Sequence, residues 1–142
     1  MPRQNTKEEI MFKSWLDVLE IPYSYQHQFS YLGDNGKIRY FYVDFLININ
    51  NINLVVFIDG GEHIRSRQKA KDIFQEIFLT NEFGLTCLRI TNYRINTCSP
   101  SKIIREIRVF AKKMAVNNPV QNPVNNYLIE CGKWKHMKKL TD

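Results

Sequence analysis

The chain is poor in cysteine: Cys87, Cys98 and Cys131 are an odd number with no CxxC spacing. This excludes a disulfide framework and offers no zinc knuckle, so the thiols are expected to be buried or incidental. Long apolar runs are missing as well, and none approaches the roughly 18 residues a bilayer-spanning helix needs. The first residues, MPRQNTKEEI, lack the apolar centre of a secretion signal. The expectation is a soluble, intracellular (cytoplasmic) protein with no membrane partner. Acidic residues are outnumbered, 14 against 20 Lys and Arg, which leaves a net charge of +6 and favours polyanionic partners. No internal repeat is evident. With 142 residues, 44% of them hydrophobic, the chain can bury one core without staples.

Thr6 and Glu9 form a T-x-x-E capping box before Phe12, Trp15, Leu16 and Leu19, which recur at helical spacing, so a helix is predicted from about Lys7 to Glu20, ending near Pro22. Residues 23 to 31 are aromatic and alternating, and Gly33-Asp34-Asn35-Gly36 supplies a turn, which together read as a hairpin. In its second strand Phe41, Val43, Phe45 and Ile47 share one face, and Asp44 falls on the other, more polar one. After an Asn-rich turn, Asn48 to Asn53, the run Leu54-Val55-Val56-Phe57-Ile58 reads as a central strand buried on both faces.

A second helix is predicted from about Arg67 to Phe83 on Ile73, Phe74, Ile77 and Phe78, stopped by Gly84 and followed by a strand from Leu85 to Thr91. Ser99-Pro100 caps a third helix that runs to about Val116. This order predicts an α/β (α+β) domain over 1–116, a mixed central sheet of about four strands flanked by helices. The stretch NNPVQNPVNN opens a linker and basic tail over 117–142.

Asp44 is the most informative residue, because a carboxylate within an apolar strand is costly unless a cation or hydrogen-bond donors compensate it. A bound metal or a salt bridge would both serve. Asp59-Gly60-Gly61-Glu62-His63 leaves the adjacent strand and offers two carboxylates and an imidazole. Carboxylate-bound Mg²⁺ beside a histidine suits phosphodiester hydrolysis: it activates water, neutralises phosphate and protonates a leaving oxygen. Glu62 and His27 are better explained as a solvated and a hydrogen-bonded side chain.

YFYVDF, LVVFIDGGEH and Asp72 with Gly84-Leu85 resemble the very-short-patch-repair endonucleases and related phage homing endonucleases, the EDxHD branch of the PD-(D/E)xK superfamily. The resemblance covers about Thr6 to Phe110. It implies a restriction-endonuclease-like core and catalytic roles for Glu9, Asp44, His63 and Asp72. Asp44 would be the main metal ligand, His63 the general acid or base, and Glu8 competes with Glu9 for the first acid. Most of the superfamily would place a glutamate and a lysine where this chain has Phe57 and Asp59. The branch is described as lacking that pair, and Asp59 is left as a second metal ligand or a cap for the loop.

Phosphate contacts are expected from Arg65, Arg67, Lys69 and Lys71 near the site, and from Lys133, Trp134 and Lys135 in the tail, where the indole could stack on a base. Lys102, Arg105, Arg108 and Lys112 on the third helix serve equally well as a solvated face. The function implied is a Mg²⁺-dependent, site-specific double-stranded DNA endonuclease of phage homing type in a bacterial host, as a homodimer or by two sequential nicks. Mismatch-directed nicking, RNA cleavage and a catalytically silent DNA-binding protein are the alternatives.

Overall fold

The structure, a computed structural model, describes residues 5–60 and 66–117, with the side chains of 66–70 and 116–117 left aside. Its elements are α1 (Lys7–Val18), β1 (Tyr23–Leu32), β2 (Ile38–Ile49), β3 (Ile52–Asp59), α2 (Ser66–Phe83), β4 (Thr86–Thr91), α3 (Asn92–Thr97) and α4 (Pro100–Asn117). The four strands form one sheet in the order β1-β2-β3-β4. The first three make an antiparallel meander, and β4 returns parallel to β3 after the α2 crossover. The mixed four-stranded sheet flanked by helices is the α+β architecture expected, with a short α3 that sequence periodicity did not show.

Local chemistry accounts for the boundaries. Thr6 caps α1 through its hydroxyl to the Glu9 amide at 3.1 Å, and Ser99 caps α4 through its hydroxyl to the Lys102 amide at 3.2 Å. The helix α2 ends where Gly84 takes φ 65° and Leu85 N–H returns to the Leu79 carbonyl, a wrap that a residue with a Cβ adopts at a cost. The Asn-rich turn is tighter than expected. Only Asn50 and Asn51 form it, both at positive φ, while Asn48 and Asn53 are strand partners whose buried amides bond each other at 3.0 Å.

Helices cover the sheet on both sides. One core cluster joins Phe12 and Leu16 of α1, Ile95 of α3 and Ile103, Ile104, Ile107 and Ala111 of α4 to the sheet. The other joins Leu79 of α2 to Phe29, Phe41, Val43, Leu46, Val55 and Phe57. As expected, β3 is a central strand buried on both faces. Two expectations change. The Asp44 face of β2 is not the polar one, since Leu46 is fully buried and both faces carry helices. Among the described side chains of α2 the buried ones are Gln75 and Leu79, with Phe78 packed at the margin, whereas Ile73, Phe74 and Ile77 stay exposed. The helix is real, but it docks by a narrower face than its apolar residues suggested.

Regular alternation also fails at one level. Phe45 and Ile47 pack in the first cluster while Phe41 and Val43 pack in the second, and on β1 Tyr23 and Tyr25 part from Phe29 and Tyr31 in the same way. The crossing falls at Gln26, whose φ is 51° and whose register position lies opposite Asp44. A left-handed residue other than glycine inside a strand is strained, at about 1–3 kcal/mol, and such residues gather at functional sites.

Phe45 sits at the centre of the first cluster, fully buried among the rings of Phe12, Tyr23 and Tyr25. Phe45→Ala is expected to lower unfolding stability by roughly 3–5 kcal/mol, read from urea denaturation with an unchanged slope.

Candidate active site

Asp44 occupies the point where two strands part. The β2–β3 ladder runs from the Ile49–Ile52 pair to the Phe45–Val56 pair. One step on, the Ile58 amide donates to Asp44 Oδ2 at 2.8 Å, so a side-chain oxygen receives the N–H that a continued ladder would use. Asp44 is 9% exposed. The carboxylate is thereby placed at the C-terminal end of the central strand, beside the segment that carries Asp59 and Gly60.

Next to it on β1 lies a polar group built on α1. Glu9 is fully buried, and Tyr25 Oη donates to its Oε1 at 2.7 Å. Asn5 Oδ1 lies 2.8 Å from the same hydroxyl, and Gln26 Nε2 donates to it at 3.4 Å. The cap thus takes the Glu9 backbone amide, while a carboxylate oxygen accepts from Tyr25. Glu8 instead accepts from Asn96 Nδ2 at 2.9 Å, and that hydrogen bond holds its carboxyl below the usual range. Geometry thus separates the two glutamates: Glu9 turns inward to Tyr25 of β1, and Glu8 ties α1 to α3. His27 is buried, with Nδ1 2.7 Å from Ser24 Oγ and its ring against Phe29.

Asp59 and Asp72 fall into a second polar group, centred on Arg89 of β4. In the parallel register Phe57 pairs with Arg89 and Asp59 with Thr91. The guanidinium lies 4.4 Å over the Phe57 ring, an arrangement that favours a cation on the ring's negative face. Its Nη1 donates to both Asp59 oxygens at 3.2 and 3.3 Å, and its Nε donates to Glu76 Oε2 at 2.8 Å. Nη2 lies 2.6 Å from that same Glu76 oxygen without directed hydrogen-bond geometry. The short distance reports charge attraction, and the Nε–H is the directed bond. Asp72 completes the ring of acids at 3.9 Å from Nη2. Hydrogen bonding to Glu76 and the field of the acids raise the Arg89 pKa against the opposing effect of burial.

Neither Arg89 nor Glu76 was singled out from sequence. The signal was present in Leu88-Arg89-Ile90, a charge on a strand whose neighbours are apolar, one ladder step from Asp59 in a parallel pairing. Tyr25 and Gln26 gave no signal beyond strand propensity, because their partners come from α1 and from an unusual φ.

His63 and Arg65 lie outside the described residues, as do Lys133, Trp134 and Lys135. Arg67 and Lys69 lie in the first turns of α2, and Lys71, further along it, is exposed. Lys102, Arg105, Arg108 and Lys112 are exposed on α4, across the sheet from α2. Cys87 is partly buried, and burial pushes its thiol up to about 12, in keeping with an inert sulfur.

Among the described residues no three His, Cys, Asp or Glu side chains converge as metal ligands. A hard cation such as Mg²⁺ takes carboxylate oxygens, and Asp44 is of that kind and suitably placed. Asp59 fits less well, since both its oxygens already face a guanidinium. Among the described residues no helix is long and apolar enough to cross a membrane.

No protein-family model matches this chain, and no solved structure matches it. Over 77 residues, 54% of its length, the chain is 27% identical to the DNA-directed RNA polymerase subunit beta″ of Oedogonium cardiacum. It spans 3% of that subunit, a likeness too partial to define a family.

Asp44 has a structural duty separable from any chemistry. Asp44→Ala removes the acceptor from the buried Ile58 amide and is expected to cost about 1–3 kcal/mol, whereas Asp44→Asn keeps an acceptor oxygen and should cost less. Thermal unfolding of the two variants side by side measures the difference; equal losses would mean that the Ile58 bond contributes little.

Proposed function

We propose that the chain is a Mg²⁺-dependent endonuclease of double-stranded DNA with a PD-(D/E)xK-type core, of the very-short-patch-repair-like branch and closest in style to small phage homing endonucleases. The observation that carries this is Asp44: a buried carboxylate at the parting of two strands, opposite a left-handed Gln26. The mixed four-stranded sheet flanked by helices is compatible with such a core. The net charge of +6 and the partial likeness to a subunit named for DNA-directed transcription are in keeping with a nucleic-acid partner.

In this proposal Asp44 holds the divalent ion, which supplies charge neutralisation and an activated water when bound. The chain's own residues do the rest. The Ile58 N–H fixes one Asp44 oxygen. Glu9, oriented by the Tyr25 hydroxyl, is the first acid of the proposal. His63, reached through the Gly60-Gly61 segment, exchanges the proton at the attacking or leaving oxygen. Arg65, Arg67, Lys69 and Lys71 would hold flanking phosphates. Cutting both strands takes two centres or two successive nicks, so a homodimer on DNA belongs to the proposal.

One specific observation favours a second reading, a DNA-binding protein without catalysis: Asp59, Asp72 and Glu76 are all engaged by Arg89. Incubation of long duplex DNA in Mg²⁺ separates the two readings. Wild type is expected to give discrete products, lost in excess EDTA and reduced by at least about 100-fold in Asp44→Asn and His63→Ala. Full activity in Asp44→Asn would overturn the site, and binding without cleavage across varied DNA would favour the second reading.

A further inference from the structure

The second core cluster runs out toward the tip of the β1–β2 hairpin, and its last rung is not apolar. In the antiparallel register Phe29 pairs with Phe41 and Tyr31 with Arg39, so these side chains form successive rungs on the sheet face that α2 covers. Along α2, Asp72 and Glu76 meet Arg89, whereas Phe74 and Phe78 meet Tyr31, with ring centroids 5.4 Å apart in both pairs. Phe74 is 44% exposed, so much of its ring is open. Between these rings and the hairpin loop lies an open groove of about 490 Å³, bordered on the loop side by Arg39, Asp34 and Asn35. Arg39 lies across Gly33, where a Cβ would come 2.8 Å from its Nε and push the side chain aside. Among the described residues neither Arg39 nor Asp34 has an ion-pair partner.

We propose that this groove binds one unstacked nucleotide, with the base on the rings of Phe74 and Tyr31 and an adjoining phosphate on Arg39. This rests on the nucleic-acid partner of the reading above and not on cleavage. A half-exposed phenylalanine leaves hydrophobic burial unused, and a guanidinium without an acid leaves its fork of donors to water. A nucleotide answers both. Its base has a flat face that stacks on an aromatic ring whatever the sequence, and its phosphate matches the guanidinium geometry. The volume lies within the roughly 300–1,000 Å³ of small-ligand sites. Asp34 narrows the choice, because its charge disfavours a second phosphate on the loop side while its oxygens can accept from the amine of a base. The chain's net charge of +6 attracts a polyanion to this surface and repels a second copy of the chain, which carries the same charge.

Fluorescence anisotropy of the full-length chain with a fluorescein-labelled oligothymidylate of about twelve nucleotides tests this. EDTA is present throughout, so the result stands apart from the cleavage assay. Phe74→Ala is expected to weaken binding by roughly 5- to 100-fold at every salt concentration, and Phe74→Trp to restore it with quenching of the new indole. Arg39→Met should also weaken binding and flatten the logarithmic salt dependence by about 0.7, the share of one phosphate, while Arg39→Lys keeps the slope. A strand of the same length without bases should bind wild type and Phe74→Ala alike. Displacement by thymidine 5′-monophosphate would identify a free nucleotide as the occupant, and displacement by strands alone a nucleotide within DNA; each upholds the groove. No binding by wild type would overturn the proposal, as would equal affinities of wild type and a folded Phe74→Ala. Loss of self-association in Phe74→Ala by sedimentation, with oligothymidylate affinity unchanged, would overturn it in favour of a second copy. Should circular dichroism show Phe74→Ala unfolded, Arg39→Met decides through the slope, and an unchanged slope overturns the proposal.

Discussion

The arrangement of this domain turns on a carboxylate placed inside a sheet. Asp44 lies on a strand flanked by strands on both sides and helices on both faces, where an ionised group has lost nearly all of its water. Such a group is tolerated only where donors or a cation replace the water. Here β2 and β3 part beside it, and the Ile58 amide is turned to it. The neighbouring strand responds too, since Gln26 takes a left-handed conformation at the matching level and the packing of both strands crosses from one core cluster to the other. Irregularities that look local thus gather at the level of one buried carboxyl group.

The acids further along answer the same constraint differently. Asp59, Asp72 and Glu76 are about a quarter to two fifths exposed at the side chain, so water still shares in their solvation. Arg89 brings them together from β4, and the parallel pairing of β3 and β4 makes this reach short, because Arg89 and Phe57 sit at the same level. Two solutions to clustered negative charge therefore stand side by side. One uses a backbone amide; the other uses a cation carried by the chain.

Much of this was legible in the sequence wherever one residue type has one dominant physical consequence. Thr6 and Ser99 fixed helix starts, Gly84 a helix end, and the branched run from Leu54 to Ile58 a central strand. Asp44 stood out for the same reason, as a charge where a strand is otherwise apolar. What could not be read depends on pairing across the chain. Asp59 has no reading by itself and becomes an ion pair only when β4 is laid parallel to β3 in register. Glu9 carried a local explanation, the capping box, and only the approach of β1 shows its carboxylate turned to Tyr25. The polar side assigned to β2 failed because helices from distant sequence cover both faces.

The distribution of positive charge bears on how a polyanion would approach. A phosphate backbone drawn to buried acids must have their charge offset from nearby, and the exposed cations of α4 are poorly placed for this, since α4 packs against the first core cluster while Arg89, Asp72 and Glu76 lie with α2 on the opposite face. Lys71 belongs to α2 itself, one residue before Asp72. Under the proposed reading, Lys71 on α2 lies on the face of the acids, whereas the α4 cations lie on the other face of the sheet. Salt screens contacts beyond about 8–10 Å, so the two sets act on different stretches of any bound duplex. The net charge of the whole chain is thus a weaker guide to the site than the charge of the single helix that borders it.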